Sequence, residues 1–272
     1  MGQAATKAKE AHTQAKSKPK NNRNVQNQKI QTAKSTGMLA LPERKLKKVP
    51  AEVLELTQLR SLDLSQNRLE EIPAELNAFA SLKTLKLVSN ALTTLPDLSG
   101  LTALTTLVLD GNSIESLPNA LPPNLTKLSL KGNKLSAIPQ TITSLSQLKE
   151  LDLSENQLSE IPQHINQLSE LVDLSVDRNS IQILPSALVE CPKLKVISAR
   201  HNQLRGGKAQ SIAESILKDS IVQIMNLEGN PMTKFDLEAM EGCEAFLQRR
   251  TQLKNKEIHG GLSTDTSLCG LD

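Results

Sequence analysis

Residues 148–158 read LKELDLSENQL, and residues 59–69 read LRSLDLSQNRL. Both segments follow the pattern LxxLxLxxNxL, which returns along the chain at intervals of 21 to 28 residues. The asparagines that mark the pattern are Asn67, Asn90, Asn112, Asn133, Asn156, Asn179, Asn202 and Asn230. Self-similarity with a period of this length is typical of a solenoid, in which each unit buries its apolar face against its neighbours.

The pattern has a physical interpretation at each position. Leu151 and Leu153 are two residues apart, which is the period of a short strand with one face turned inward. The asparagine amide has two donors and one acceptor on a short side chain, so it can bond backbone groups of its own turn and of a neighbouring turn. We therefore predict that the eight asparagines form a structural ladder.

A proline step follows most of the asparagines, as in Ile72-Pro73 and Ile161-Pro162. Proline lacks an N–H group and fixes φ, so these positions cannot lie within a central strand. The return path of each unit is therefore predicted to be irregular or briefly helical. Apolar residues recur beyond the proline, and this spacing places Cys191 in the core.

The two ends of the repeat differ from its middle. At the N-terminal end, Arg44 stands where the first asparagine is expected, which suits an edge layer. At the other end the last interval widens, and helices are predicted around residues 208–217 and roughly over 235–254 as a C-terminal cap. We predict a repeat domain over residues 37–256, with disordered tails at 1–36 and 257–272.

Over residues 37–250 the pattern resembles the leucine-rich-repeat superfamily, and its Ile/Leu-Pro step is similar to the intracellular members. The segments QTAKSTGMLAL and SILKDSIVQIMNLEGNP resemble a small single-domain group of that superfamily that also begins with Met-Gly. The resemblance implies an α/β horseshoe with short parallel strands on its concave face. It further implies an N-terminal edge repeat, about eight further repeats and a helical C-terminal cap.

The composition favours a cytoplasmic protein. No run approaches the roughly 18 to 20 apolar residues that cross a bilayer, and the N-terminus lacks the apolar stretch of a secretory signal. The three cysteines are widely spaced and form no CxxC pair, which suits a reducing compartment.

The chain begins Met1-Gly2-Gln3-Ala4-Ala5-Thr6, which fits the myristoylation pattern with Gly2 as the acceptor. Residues 1–36 hold eight basic side chains and one acid, which leaves 24 basic and 28 acidic residues for the rest. A single myristoyl chain binds membranes only marginally, so the basic tail is predicted to supply the second signal for reversible peripheral attachment.

Other interpretations of the tail stay open. It could be an ordinary disordered start, or it could carry a nuclear signal around residues 16–23. Nucleic-acid binding is not expected, because no aromatic side chain lies between the lysines to stack on bases.

The strand residues between the inward leucines point away from the core and line the concave face. Basic residues on the fourth repeat are followed by an acidic group on the fifth and sixth, which would suit a basic or mixed-charge protein partner. The alternative is that these are solvated surface charges. The candidate partner-binding residues are Lys127, Lys131, Glu150, Asp152, Asp173, Asp177 and Arg200.

No catalytic site, metal site or cofactor is predicted. The four histidines are isolated in the sequence, and no nucleophile–base pair or phosphate-binding glycine loop appears. Glu150 and Asp152 share a strand face, but an open polar setting gives no reason for a shifted pKa. We therefore predict a non-catalytic interaction module, either a membrane-attached adaptor or scaffold, or a soluble regulatory subunit of a phosphatase or small-GTPase complex.

Overall fold

The computed structural model describes residues 20–207, 211–260 and 269–271. Within these ranges, nine short strands form one parallel sheet in which neighbours follow chain order. The strands are β1 (Met38–Ala40), β2 (Ser61–Asp63), β3 (Thr84–Lys86), β4 (Thr106–Val108), β5 (Lys127–Ser129), β6 (Glu150–Asp152), β7 (Asp173–Ser175), β8 (Val196–Ser198) and β9 (Ile224–Asn226). Their central residues stay in register from Leu39 to Met225, so the predicted solenoid of parallel strands is confirmed.

Short helical turns lie on the return path of several repeats. They are the α-helices α2 (Ala51–Leu54) and α3 (Gln140–Thr143) and the 3₁₀ helices η1 (Ala74–Ala78), η2 (Gln163–Gln167) and η3 (Ser186–Glu190). Each directly follows a proline with extended backbone, namely Pro50, Pro73, Pro139, Pro162 and Pro185. A proline suits the start of a helix because the first N–H groups there have no partner within the helix.

The core runs along the solenoid between the sheet and the return path. It consists mainly of leucine and isoleucine, with Phe79 and Phe246 among the fully buried side chains. Cys191 is also buried, as its spacing predicts, and its Sγ donates to the Ile165 carbonyl at 3.4 Å. Burial raises the pKa of this thiol to about 11, so it stays protonated at neutral pH.

The asparagines connect each repeat to the repeat before it. Asn133 shows the arrangement: its Nδ2 donates to the carbonyls of Leu130 and Leu109, and its Oδ1 accepts from the Ile114 N–H at 3.0 Å. Every asparagine of the set makes one donated and at least one accepted bond of this kind to the preceding repeat. The edge layer has no repeat before it, which explains why Arg44 can replace an asparagine there.

The residue before each asparagine has a positive φ. These residues are Gln66, Ser89, Gly111, Gly132, Glu155, Arg178, His201 and Gly229, with φ between 51° and 73°. Most are not glycine, although the left-handed region costs an L-residue roughly 1–2 kcal/mol. The turn keeps this conformation because it directs the following amide into the interior.

The N-terminal end differs from the sequence prediction. A helix, α1 (Lys20–Thr36), forms within the stretch expected to be disordered. Ile30 and Ala33 are buried, so α1 packs on the edge that β1 would otherwise expose. Few apolar side chains make this contact, and most residues of α1 are polar. The sequence pattern therefore did not predict a packed helix here. The remainder of the predicted tail, residues 1–19, lies outside the described residues.

The C-terminal cap contains two helices where the sequence indicated one. They are α5 (Lys234–Glu238) and α6 (Cys243–Gly260). Gly242 separates them with φ +87°. A Cβ at this position would lie 2.8 Å from the backbone nitrogen of Lys218. The close approach of the preceding helix therefore requires glycine at this point and breaks the predicted helix.

That preceding helix, α4 (Glu214–Lys218), is shorter than the one predicted around residues 208–217, of which residues 208–210 lie outside the described part. Arg249 of α6 caps it: its Nη2 donates to the Leu217 carbonyl at 2.6 Å and to the Ile216 carbonyl at 3.3 Å. These bonds satisfy carbonyls that a helix end leaves without partners.

The predicted disorder of the C-terminal tail also does not extend to every residue of 257–272. Helix α6 continues to Gly260, and Cys269 and Leu271 are buried. The Cys269 carbonyl accepts from the Leu227 N–H at 2.8 Å, just beyond β9. The last described residues thus cover the C-terminal edge of the sheet, in a contact that no repeat pattern could indicate.

Candidate functional site

The exposed face of the sheet, called the concave face below, carries the first and third residues of each strand. The parallel register places Lys127, Glu150 and Asp173 side by side on β5, β6 and β7. In the next row Asp152 lies beside Ser129. Neighbouring strands are about 4.8 Å apart, so these charged groups are close enough to interact.

A depression of about 470 Å³ lies at the middle of this face. Its charged lining residues are Asp110, Lys127, Glu150, Asp152 and Asp173. Val108 and Val196 add apolar surface on either side. Four carboxylates and one ammonium group give this depression, called the acidic depression below, a net negative charge.

Lys127 is held by one of these carboxylates. Its Nζ lies 2.6 Å from Glu150 Oε2. The hydrogen bond with Glu150 is the main reason that the pKa of Lys127 is raised, and the charges of Asp173 and Asp110 add to it. The pair is about half exposed, so it contributes little to stability, but it places the ammonium group against one wall.

Asp173 is a carboxylate whose surroundings disfavour its charged form. Burial raises its pKa first, and the charges of Glu150 and Asp152 raise it further. Lys127 opposes this shift. A cation from outside would therefore stabilise the charged form of Asp173.

Asp110 also lines the depression, although it is not among the candidate residues predicted from the sequence. Its Oδ1 accepts from Ser129 Oγ at 2.5 Å and from the Lys131 N–H at 3.2 Å. Burial raises the pKa of this carboxyl, and the bond from Ser129 lowers it in part. Asp177 accepts two equivalent hydrogen bonds, from Ser198 Oγ at 2.8 Å and from the Arg200 N–H at 2.7 Å.

The sequence carries a signal for this arrangement. An aspartate two residues before the ladder asparagine is followed, in the next strand, by a serine at the third position, as in Asp110 and Ser129. Such an aspartate bonds the backbone of the next repeat. Asp177 is thus engaged within the structure, and it does not line the acidic depression.

The structure brings together four of the seven candidate partner-binding residues: Lys127, Glu150, Asp152 and Asp173. The other three lie one row further on, past the ends of the strands. Lys131 pairs with Glu155 at 3.3 Å, and Arg200 Nε lies 4.0 Å from Glu228 Oε2.

Gly2, the predicted lipidation site, lies outside the described residues. Within the described part of the chain, no helix combines the length and apolar character needed to span a membrane.

Two stretches of the chain, residues 57–114 and 123–181, match the family model for the leucine rich repeat. A comparison with curated proteins found no match.

Several solved structures have folds similar to this chain. A leucine-rich-repeat protein of Leptospira interrogans is 29% identical with a TM-score of 0.60, over 78% of this chain and 58% of its own. The plant peptide hormone receptor RGFR1, solved in complex with RGF2, is 28% identical with a TM-score of 0.56, over 68% of this chain and 31% of its own.

The leucine-rich effector YopM of Yersinia pestis has a TM-score of 0.62 at 21% identity, over 78% of this chain and 61% of its own. At that identity the likeness concerns the fold alone. This chain spans between about a third and three fifths of the length of these three proteins.

Proposed function

This chain belongs to the leucine-rich-repeat superfamily, and we propose that it is a non-catalytic interaction module that binds a basic segment of a protein partner in its acidic depression. The observation that carries the proposal is the clustering of four carboxylates around one lysine on the exposed face of a rigid sheet. A role in binding other proteins follows from the leucine-rich-repeat fold. We propose in addition that the acidic depression is the binding surface and that the partner's bound segment is basic.

The chemistry of the depression supports a basic ligand. Asp173 has a raised pKa because it is partly desolvated next to Glu150 and Asp152, and an incoming cation would relieve that repulsion. Val108 and Val196 would contact the methylene stem of a bound Lys or Arg side chain. The plant receptor among the similar structures was solved with a peptide, which is consistent by analogy with such use of this fold.

The proposal is tested by exchanging charges on the concave face. Asp152→Lys/Asp173→Lys is expected to reduce affinity for a panel of fluorescent Arg- and Lys-rich peptides at least about tenfold, since like charges at an interface oppose binding by several kcal/mol. Fluorescence anisotropy at fixed ionic strength measures the affinities. Peptides in which Arg and Lys are replaced by Gln serve as the ligand control.

Glu75→Lys/Glu160→Lys is the matched protein control. Both glutamates are exposed and lie outside the strands, so the net charge changes equally without altering the concave face. If both double variants lose affinity to the same extent, net charge and not the acidic depression explains binding, and the proposal is wrong.

We further propose that the module works at a membrane surface as an adaptor or scaffold, on the cytoplasmic side, through a myristoyl group on Gly2 and its basic N-terminal region. One acyl chain binds bilayers weakly, with an association constant on the order of 10⁴ M⁻¹, and basic residues supply the additional attraction. The pairing of the Gly2 motif with nearby cations supports this proposal.

Gly2→Ala is expected to move most of the protein from the membrane fraction to the soluble fraction of expressing cells. An unchanged membrane fraction would contradict the lipid anchor. Proximity labelling with the same pair of proteins separates the two functional alternatives. A partner set that does not depend on Gly2 would favour a soluble regulatory subunit of a phosphatase or small-GTPase complex.

A further inference from the structure

Part of the positive charge of the N-terminal region lies on the folded body. Of the eight cations in residues 1–36, Lys29 and Lys34 belong to the part of α1 whose side chains the structure describes. Ile30 and Ala33 of the same helix are buried in the core. The charges of α1 are therefore carried by an element that is packed on the repeats.

The C-terminal half of α1 is bonded to the first strands. Lys29 Nζ donates to the Ala40 carbonyl at 3.0 Å, at the end of β1. Arg60 Nη2 donates to the Thr36 carbonyl at 3.1 Å, and Gly37 ends the helix with φ +68°. Since Thr36 lies at the start of β1 and Lys29 at its end, α1 runs antiparallel to β1. Its first turns point toward the side on which the chain leaves the strand.

The chain that leaves β1 on that side is also basic. Residues 44–48 read RKLKK, and Lys45, Lys47 and Lys48 are exposed while Leu46 packs against the core. Lys48 Nζ lies 3.1 Å from Glu71, in a pair that is mostly exposed to solvent. Over residues 20–50 there are eight basic side chains and one acid, Glu43.

We propose that this surface, called the basic end and formed by α1 and residues 44–48, binds the anionic headgroups of a lipid bilayer. A rigid body that presents several cations at one end loses less freedom on binding than the same charges spread along a flexible chain. The basic end also adjoins, in sequence, the segment that begins with Gly2. The inference deepens the proposed membrane attachment by naming a folded surface, and it does not require the lipid.

Nucleic acid is the other polyanion that such a surface could meet. Single-stranded nucleic acids are bound through aromatic stacking as well as charge, and residues 20–50 contain no aromatic residue. The membrane is therefore favoured over a single-stranded nucleic acid, and a DNA duplex, which is bound without stacking, is a competitor in the experiment. Contact through the basic end would also leave the acidic depression free, because β5 is four strands, or roughly 19 Å, from β1.

The test uses unlipidated full-length protein, so that the result is independent of Gly2. Sedimentation with vesicles of phosphatidylcholine alone is compared with vesicles that contain 30% phosphatidylserine. Binding is expected only to the anionic vesicles and is expected to fall as salt is raised. Lys45→Glu/Lys47→Glu should reduce it at least about tenfold, since each cation near such a surface contributes to attraction.

Lys149→Glu/Lys195→Glu is the matched control, because both lysines are exposed, lie on later repeats and give the same change in net charge. It is expected to bind anionic vesicles within about twofold of the unaltered protein. Circular dichroism melts of both variants check that each is folded.

Three results would overturn the inference: equal loss in both double variants, equal binding to neutral and anionic vesicles, or tighter binding to a DNA duplex than to anionic vesicles at the same salt. If the unaltered, unlipidated protein did not bind anionic vesicles while Gly2→Ala still released the protein from membranes in cells, the basic end would be rejected and the lipid anchor retained.

Discussion

Each ladder asparagine bonds backward, to the repeat that precedes it in the chain. Asn133 satisfies two carbonyls and one N–H group with a single buried side chain. Buried backbone groups that lose their partners cost about 1–3 kcal/mol each. The ladder is therefore a set of individual residues on which pairs of repeats depend.

Asn133→Ala is expected to lower the free energy of unfolding by roughly 2–4 kcal/mol, because Leu109 and Ile114 keep buried backbone groups without a partner. Urea unfolding followed by circular dichroism measures the change. Asn124→Ala is the control, since Asn124 is exposed and makes one bond to the Thr102 carbonyl. Equal shifts of the two midpoints would show that the ladder bonds add little.

At the scale of single elements, α1 covers the apolar edge that a further repeat would otherwise cover. It covers the edge of β1 with Ile30 and Ala33, while the cap at the other end is built by α4, α6 and the segment around Cys269. Neighbouring layers supply most of the stability of a repeat protein. Removing a cover should therefore weaken the nearest layers most.

Ile30→Asp is expected to detach α1 and to cost at least about 2 kcal/mol in the first repeats, because a buried isoleucine is lost and a charge takes its place. Hydrogen exchange should become faster in β1 and β2 and stay unchanged in β6 and β7. Val25→Asp, at a residue that is 36% exposed, should leave exchange in β1 as it was. Uniform acceleration along the whole sheet would contradict a local covering role.

At the scale of the whole molecule, charge is divided between two places. The acidic depression lies on the middle strands, and the basic end lies on α1 and the layer of β1. Burial raises the pKa values of Asp110 and Asp173 above that of an unfolded chain. The folded protein then binds these protons more tightly than the unfolded chain. Their charges therefore cost stability at neutral pH, and that cost disappears as pH falls through the raised pKa.

Asp173→Asn is expected to raise the urea midpoint at pH 7 and to lose this advantage at pH 3, where the unaltered aspartate is protonated in both states. Asp97→Asn is expected to lower the urea midpoint at pH 7, because a backbone bond from Ser99 lowers the pKa of Asp97 and so stabilises the folded state when the carboxyl is ionised. This loss should become smaller as pH falls toward the lowered pKa. Equal effects of Asp173→Asn at both pH values would contradict the electrostatic explanation.

The repeating part of the fold could be predicted from local patterns. The alternation of Leu151 and Leu153 indicates a strand, the proline step indicates the return path, and the spacing places Cys191 in the core. The candidate site was predicted in part, since Lys127, Glu150, Asp152 and Asp173 follow from counting strand positions. These features depend on residues close together in the chain. The repeat period assigns each of these residues to a strand, a turn or the core.

Other features required the tertiary structure, because they arise from contacts between residues far apart in sequence. Asp110 joins the acidic depression through a bond to Ser129, 19 residues later. Gly242 breaks the C-terminal helix because α4 approaches it, and Cys269 returns to the edge beside Leu227. The sequence alone determined the repeat and its register, because every layer buries the same apolar pattern. Only the folded chain decided how the two ends are covered, because each end has a neighbour on one side only.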